Sequence, residues 1–253
     1  DLMLMIVNAG SSSLKLVFCR GADPVHRETV EEIGTDGHAA ALDRALMRSG
    51  IAATALRGAA HRVVHGGPRL TATSRITPAV LDEITAAVPL APLHNPAALV
   101  GIQSVARLLP DLPQYAVFDT AFHATNPTVA TSYALPLEDR ERGIRRYGFH
   151  GISYAALVRI LGARGPLPQR LLACHLGNGA SLAAIVNGRS VATTMGYSPL
   201  DGLTMGTRAG SIDGNAVLRL VELHGLERAT QILNRVSGLV ALGGSSDLRA
   251  LHA

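Results

Sequence analysis

With 253 residues, 47% of them hydrophobic, the chain is long enough for one large domain or two small ones with a real core, and no apolar run approaches the ~20 residues that span a bilayer. A net charge of +4 weakly favours anionic ligands, but the basic residues are dispersed and nearly all arginine, and aromatics are only 4%, which argues against a nucleic-acid surface. The first residues show no basic segment and no cleavage site, so no secretory signal is expected; Cys19 and Cys174, each inside an apolar run, are expected as reduced core residues of a cytoplasmic protein.

Leu2 to Val7 is a continuous apolar run that predicts a buried strand, and Leu14 to Phe18 predicts its return. Between them Asn8-Ala-Gly-Ser-Ser-Ser13 offers an amide and three hydroxyls, with the only lysine, Lys15, just beyond. An ordinary Ser-rich turn and a phosphate or metal site both fit that composition. Residues 20–37 read as a polar loop or edge hairpin, and Ala39 to Arg48 as a helix stopped by Gly50. His61-Arg-Val-Val-His-Gly-Gly67 reads as a short strand ending in a glycine pair. On that strand His61 and His65 could lie at the surface, and Arg62 faces away from Val63, into solvent or a cleft.

Thr77-Pro78 opens a helix with Val80, Leu81, Ile84, Ala87 and Val88 as its inner stripe, ended by Pro89. Asn95 caps the next, with Leu99, Ile102, Val105, Ala106 and Leu109 inward. His94 then sits at a helix N-terminus, where an anion is favoured, although a surface histidine before a cap fits equally. Tyr115 to Phe118 is a strand with Asp119 at its C-terminal end, a position used for catalytic carboxylates and for helix caps alike. Arg145 to Gly151 leads into a helix from about Ser153 to Leu161, stopped by Gly162.

Leu171 to Cys174 is a further apolar strand, followed by His175-Leu-Gly-Asn-Gly179 and a second run from Leu182 to Val186. Asn187-Gly188 is a two-residue hairpin signal, with Arg189 to Thr194 returning. A Gly-Asn-Gly turn can aim backbone N–H groups at an anion, and Arg208, on the Gly-rich segment Met195 to Asp213, can supply charge to a transferring phosphoryl group. Asn215 to Arg235 is helical with a break near Gly225; Ser237 to Ser246 is a Gly-Ser loop before Asp247-Leu-Arg249.

Zinc-ligand spacing, the nucleophile elbow, the Walker lysine motif and the kinase-type Gly-rich loop are all absent. What remains is two strand–turn–strand units, residues 2–18 and 171–194, expected as two similar sheets facing across a cleft. Arg62, His94, Asp119, His150 and Arg208 stand at strand or helix ends around them. Phosphoryl transfer needs such guanidinium and imidazole donors and little covalent chemistry.

Eight segments carry a resemblance in order along nearly the whole chain: Asn8 to Lys15, His61 to Gly67, Leu90 to Pro96, Val117 to His123, Arg146 to Gly151, His175 to Gly179, Pro199 to Arg208 and Ser245 to Arg249. Together they resemble the acetate kinase family, within the acetate and sugar kinase, Hsp70 and actin superfamily. The resemblance implies an α/β fold of two related ribonuclease-H-like domains, residues 1–119 and 120–253, the second incomplete. It implies reversible, Mg²⁺-dependent transfer of the γ-phosphoryl of ATP to acetate, giving acetyl phosphate and ADP, in a cytoplasmic homodimer with no membrane or nucleic-acid partner. By position, Arg62 and Arg208 would hold the carboxylate and the phosphoryl group, with His150 donating to that group and His94 supporting it. Asp119 would neutralise or orient the arginines or the metal. Asn8 would lie near Mg²⁺, with Ser11, Ser13 and Lys15 beside it; His175, Asn178 and Gly179 would meet the phosphates of ATP, and Asp247 and Arg249 the adenosine. Val64, Leu93, Phe149 and Pro199 would line an apolar pocket for the acetate methyl.

The chain also departs from the family pattern. The stretch before His61 is short, Tyr154 stands where the family has a second histidine, and Ser211 where it has an acidic residue. Members continue past the segment equivalent to Ser245–Arg249 into a Gly-rich nucleotide loop, a metal-associated glutamate and a returning helix, so a fragment is expected. The resemblance leaves room for a propionate or butyrate kinase, and for a ligand-binding relative with impaired catalysis.

Overall fold

The computed structural model describes residues 3–33 and 37–252. Leu2, expected to open the first strand, residues 34–36 of the expected polar loop, and Ala253 lie outside them. The chain divides into two compact units between Ala121 and Phe122.

The first unit is built on a six-stranded sheet. Its strands are β1 (Met3–Ala9), β2 (Leu14–Arg20), β3 (Asp23–Val30), β4 (Leu56–Val63), β5 (Ser74–Arg75) and β6 (Gln114–Phe118), in the order β3-β2-β1-β4-β6-β5. The first three form an antiparallel meander, whereas β4 runs parallel to β1 and β6 parallel to β4. Parallel neighbours need crossovers, supplied here by α1 (Gly37–Ser49) before β4 and by α2 (Pro78–Ala86) and α3 (Asn95–Leu108) before β6. Met3, Met5 and Val7 of β1 and Leu14, Leu16 and Phe18 of β2 pack with Ala41, Leu42 and Ala45 of α1 and Val105 of α3. Each large side chain so buried contributes roughly 1.5–3 kcal/mol. A second cluster joins Val63, Ala116 and Phe118 to Ile84 of α2 and Ala98 and Ile102 of α3.

The second unit carries α4 (Thr128–Thr131), α5 (Leu137–Glu141) and α6 (Gly151–Arg164), then the antiparallel sheet β7 (Arg170–Leu176), β8 (Ala180–Val186) and β9 (Arg189–Thr193). α7 (Gly214–His224), α8 (Leu226–Arg235), α9 (Leu239–Gly243) and α10 (Leu248–Leu251) follow. Asn187 (φ 49°) and Gly188 (φ 76°) make the expected two-residue turn between β8 and β9. Tyr154, Ala173, Ala183 and Ile185 form the core, with Phe122 stacked on Tyr154 at 6.2 Å. Among the described residues no helix is long and apolar enough to cross a membrane.

Several expectations change. β1 is buried on one face only, because helices cover one side of its sheet; Leu4 and Ile6 on the other are exposed. Of the two readings for residues 20–37 the edge hairpin holds, with residues 23–30 as the edge strand. Helix α6 runs through Gly162 and ends at Gly165, which takes the extended C-terminal position. The Gly-Ser loop contains α9. His61 and His65 are buried rather than at the surface. Ala106 faces solvent; Ile102 and Val105 are buried as expected, joined by Ala98 and Gly101, and Leu99 and Leu109 pack against the core. Cys19 is buried as expected, but Cys174 is exposed, together with Leu172 and Leu176 on the same face of β7; both cysteines are free thiols.

Candidate active site

In the first unit the parallel register of β4 on β6 sets Arg62 beside Val117 and Val63 beside Phe118. The Asp119 N–H then donates to the Val63 carbonyl at 3.1 Å, so the carboxylate leaves the sheet next to Arg62. Arg62 Nη2 donates to Asp119 Oδ2 at 2.6 Å, and Nε reaches both carboxylate oxygens at 3.2 Å. Asp119 is 3% exposed, whereas the arginine side chain is open to solvent. Burial alone lowers the guanidinium pKa, but the Asp119 hydrogen bonds and charge outweigh it and the net shift is upward. The pair thus presents a fixed, permanently charged guanidinium whose partner is sequestered.

The loop after β4 is tied to the start of α3. Asn95 was expected to cap that helix, but the capping position is His94, which makes no side-chain cap bond. Asn95 is fully buried; its Oδ1 accepts from the His65 N–H at 3.1 Å and its Nδ2 donates to the His65 carbonyl at 3.0 Å. These two bonds hold the helix start, and His94 with it, against the loop that follows Arg62. The Gly67 N–H donates to His65 Nδ1 at 2.9 Å, which leaves the proton of the neutral ring on Nε2. Burial lowers the His65 pKa to about 4. Gly66 must be glycine, since a Cβ there would meet the Leu70 carbonyl and the Phe118 ring. Val64 is partly buried and Leu93 is about half exposed, at 48%.

At the first turn, Asn8 on β1 is opposite Lys15 on β2. Gly10 N–H donates to the Ser13 carbonyl at 2.8 Å, and His38 Nε2 donates to the Gly10 carbonyl at 2.7 Å. Ser11 and Lys15 are exposed and Ser13 partly buried. The His38 contact, from the first turn of α1, had no local sequence signal.

The second unit gathers a larger set. His150 caps α6 in a left-handed conformation (φ 60°), unusual outside glycine and a form of strain found at functional sites. His123 braces that turn. Its Nε2 donates to the Phe149 carbonyl at 2.9 Å, so Nδ1 of the neutral ring accepts from Ser190 Oγ at 2.8 Å. The His123 ring occupies the space of a Cβ at Gly148 (φ 79°), which is why that position is glycine. Phe149 is buried.

His150 Nδ1 bonds Ser181 Oγ at 2.9 Å, and the same hydroxyl meets Tyr154 Oη at 2.6 Å; Tyr154 also donates to the Ser181 carbonyl at 2.9 Å. His175 stacks on His150 with ring centroids 4.0 Å apart and bonds Ser153 Oγ at 3.0 Å. A Cβ built on Gly179 would lie 3.2 Å from Arg208 Nη1 and 3.3 Å from His150 Nε2. His150, His175, Gly179 and Arg208 are therefore one constellation.

Arg208 Nη1 donates to the Pro199 carbonyl at 3.1 Å. Burial pulls its pKa down from the usual arginine value, yet so strong a base stays charged. The loop bearing Pro199 is braced by Arg146, which donates to the Thr194 and Met195 carbonyls (2.8 and 2.9 Å) and pairs with Asp201 at 3.2 Å. Ser211 Oγ donates to Asp201 at 2.8 Å, so this hydroxyl stands beside a carboxylate. Asn178 is exposed, and its carbonyl accepts from the Gly206 N–H at 3.0 Å. A Cβ on Gly206 would be 3.3 Å from Ser246 Cβ. Asp247 caps α10 and pairs with Arg249 at 2.8 Å, both exposed; that hydrogen bond lowers the Asp247 pKa.

Comparison with known proteins follows the same lines. The model of the acetokinase family matches residues 25–253. Acetate kinase of Micrococcus luteus is 44% identical over 270 aligned residues, covering 98% of this chain and 69% of that protein. The crystal structure of Porphyromonas gingivalis acetate kinase matches with a TM-score of 0.85 and 33% identity, over 98% of this chain and 72% of that one. A propionate kinase from Francisella tularensis matches with a TM-score of 0.89 and 33% identity, over 99% and 72%. The fold is thus the α/β arrangement of the acetate kinases, of the actin, Hsp70 and sugar kinase type. Among curated acetate kinases the chain spans from 48% to 72% of the relatives' own length.

Proposed function

The chain belongs to the acetokinase family, and from that premise we propose that it transfers the γ-phosphoryl group of ATP to acetate, reversibly, giving acetyl phosphate and ADP. A carboxylate oxygen of acetate attacks the γ-phosphorus, the bond to the β–γ bridging oxygen breaks, and the electron pair leaves with ADP. The observation that carries this reading is the convergence of Arg208, His150 and the Gly179 backbone in the second unit. A guanidinium, an imidazole and a Gly-Asn-Gly turn are donors for a phosphoryl group whose charge spreads over its oxygens in flight.

Arg208, fixed by the Pro199 carbonyl, faces that charge. Arg62, held by Asp119, binds the acetate carboxylate, and Asp119 acts by orienting the arginine. For neutral His150 to donate from Nε2, its Nδ1 must accept from the Ser181 hydroxyl, and the single Tyr154 proton is then shared between the Ser181 hydroxyl and carbonyl oxygens. His94 supports the carboxylate region from the α3 N-terminus. His175, Asn178 and Gly179 contact ATP phosphates, and Asp247 and Arg249 the adenosine. Val64, Leu93, Phe149 and Pro199 limit the acyl chain.

Asn8, with Ser11, Ser13 and Lys15 near it, belongs to the Mg²⁺–phosphate region. Among the described residues no three His, Cys, Asp or Glu side chains gather as a metal cage. That donor set fits an ion that arrives on nucleotide phosphates and takes one or two protein oxygens. When bound, Mg²⁺ neutralises phosphate charge. We place the protein in the cytoplasm as a homodimer.

The likeness to a propionate kinase favours one second reading, a longer acyl substrate. A hydroxamate assay with acetate, propionate and butyrate decides between them. We expect the highest kcat/KM with acetate, and a decline of about 10–200-fold per added methylene at the point where the pocket closes. Preference for propionate or butyrate would replace acetate as the substrate.

A further inference from the structure

The turn between β1 and β2 is held by two parts of the chain well separated from it in sequence. His38 Nε2 donates to the Gly10 carbonyl at 2.7 Å, and the Ile33 N–H donates to the Ser12 carbonyl at 2.9 Å. Within the turn the Gly10 N–H donates to the Ser13 carbonyl at 2.8 Å. The carbonyl oxygens of Gly10, Ser12 and Ser13 are thus all engaged by the protein itself. A trans peptide is planar, with its C=O and N–H pointing in opposite directions, and the described residues contain no cis bond. Drawing the Gly10 oxygen towards α1 therefore turns the Ser11 N–H the other way, and drawing the Ser12 oxygen towards Ile33 does the same for the Ser13 N–H. N–H groups of a turn freed in this way form a concavity for an anion.

A carbonyl can only accept, so His38 carries a proton on Nε2. Its helix is a firm post: Ala41, Leu42 and Ala45, one and two turns further along α1, are buried in the core against β1 and β2. Without that donor the Gly10–Ser11 peptide can rotate, and its oxygen then stands where a phosphate oxygen has to come. On the reading that Asn8 to Lys15 belong to the Mg²⁺–phosphate region, we propose that His38 is a positioning residue for the nucleotide. It holds the Gly10–Ser11 peptide so that the Ser11 N–H, and not the Gly10 carbonyl, faces a phosphate of ATP or ADP. His38 acts through Gly10 and touches no substrate.

Substitutions at this one position separate the role from packing. His38→Leu removes the donor, His38→Gln returns one near the place of Nε2, and His38→Asn keeps a donor too short to reach Gly10. Calorimetric titration with MgADP in the absence of acetate, steady-state kinetics and thermal unfolding read them out. His38→Leu and His38→Asn are expected to bind MgADP about tenfold more weakly, as for one lost hydrogen bond. The KM for ATP should rise in step, with the KM for acetate unchanged and the unfolding temperature near that of the wild type. His38→Gln should recover most of the affinity, and its contrast with His38→Asn decides the matter if His38→Leu does not fold. Wild-type MgADP affinity in His38→Leu and His38→Asn overturns the role of His38 and leaves the nucleotide reading of the turn standing. A lowered unfolding temperature with both KM values raised and no recovery in His38→Gln makes the contact purely structural, and also overturns it. Lys15→Ala tests the premise by itself: if it too binds MgADP as the wild type does, or if the wild type binds none, the turn is no part of a nucleotide site and both readings fall.

Discussion

Gly179 gives a sharp probe at the scale of single residues. It does not need glycine for its backbone, since it is outside the left-handed region, so alanine there adds only a methyl group. That methyl would lie 3.2 Å from Arg208 Nη1 and 3.3 Å from His150 Nε2, tighter than ordinary contact. Gly179→Ala is expected to lower kcat tenfold or more while the unfolding temperature barely moves; unchanged turnover would separate these side chains from the chemistry. Tyr154→Phe probes the relay behind His150. It keeps the ring in the core and removes the hydroxyl that bonds Ser181 and the His175 backbone, so a stability loss of about 1 kcal/mol is expected. Kinetically, kcat should fall several-fold at unchanged KM for ATP, with a displaced pH–rate profile, whereas a purely structural role would leave that profile in place. The arginines, His150 and the Gly-Asn-Gly turn were legible because charge and glycine stand out beside apolar runs. Asn95, His123 and Ser181 were not, because their partners lie 30, 26 and 31 residues away.

At the scale of elements, β4 and the loop after it carry two buried histidines. Burial lowers the pKa of each to about 4, with the Gln114 bond opposing the shift at His61. The unfolded chain protonates them below about 6.5, so between 6.5 and 4 it binds more protons than the folded one. Stability is therefore highest above 6.5 and falls as pH drops through that window, by up to roughly 3 kcal/mol per ring. His65→Asn preserves an acceptor for the Gly67 N–H and removes one titration. Denaturant unfolding from pH 7.5 to 4.5 should then show a shallower decline than in the wild type; an identical slope would contradict it. Elements with strong local signals formed where the periodicity put them, as in α2 behind its Thr77 cap. Burial was less legible than secondary structure. An apolar strand such as β7 reads as core, yet Leu172, Cys174 and Leu176 face outward, because burial depends on what packs against a strand and not on the strand.

For the whole molecule, the sequence supported two α/β units, and its family resemblance matched what the family model and solved relatives later showed. The unsatisfied Asn126 amide lay beyond both routes, since nothing in the run Ala124 to Asn126 marks it. The proposed reaction makes one demand on the assembled chain: Arg208 must act on the phosphoryl group in transit rather than on bound ATP. Acetyl phosphate formation from acetate and ATP, followed by ³¹P NMR in wild-type chain and Arg208→Ala, measures this. The wild type should produce acetyl phosphate and ADP in equal amounts, and the variant should lose about 10²–10³-fold in kcat with a much smaller change in the KM for ATP. Near-normal turnover in Arg208→Ala, or ATP consumption by the wild type without acetyl phosphate, would contradict the account.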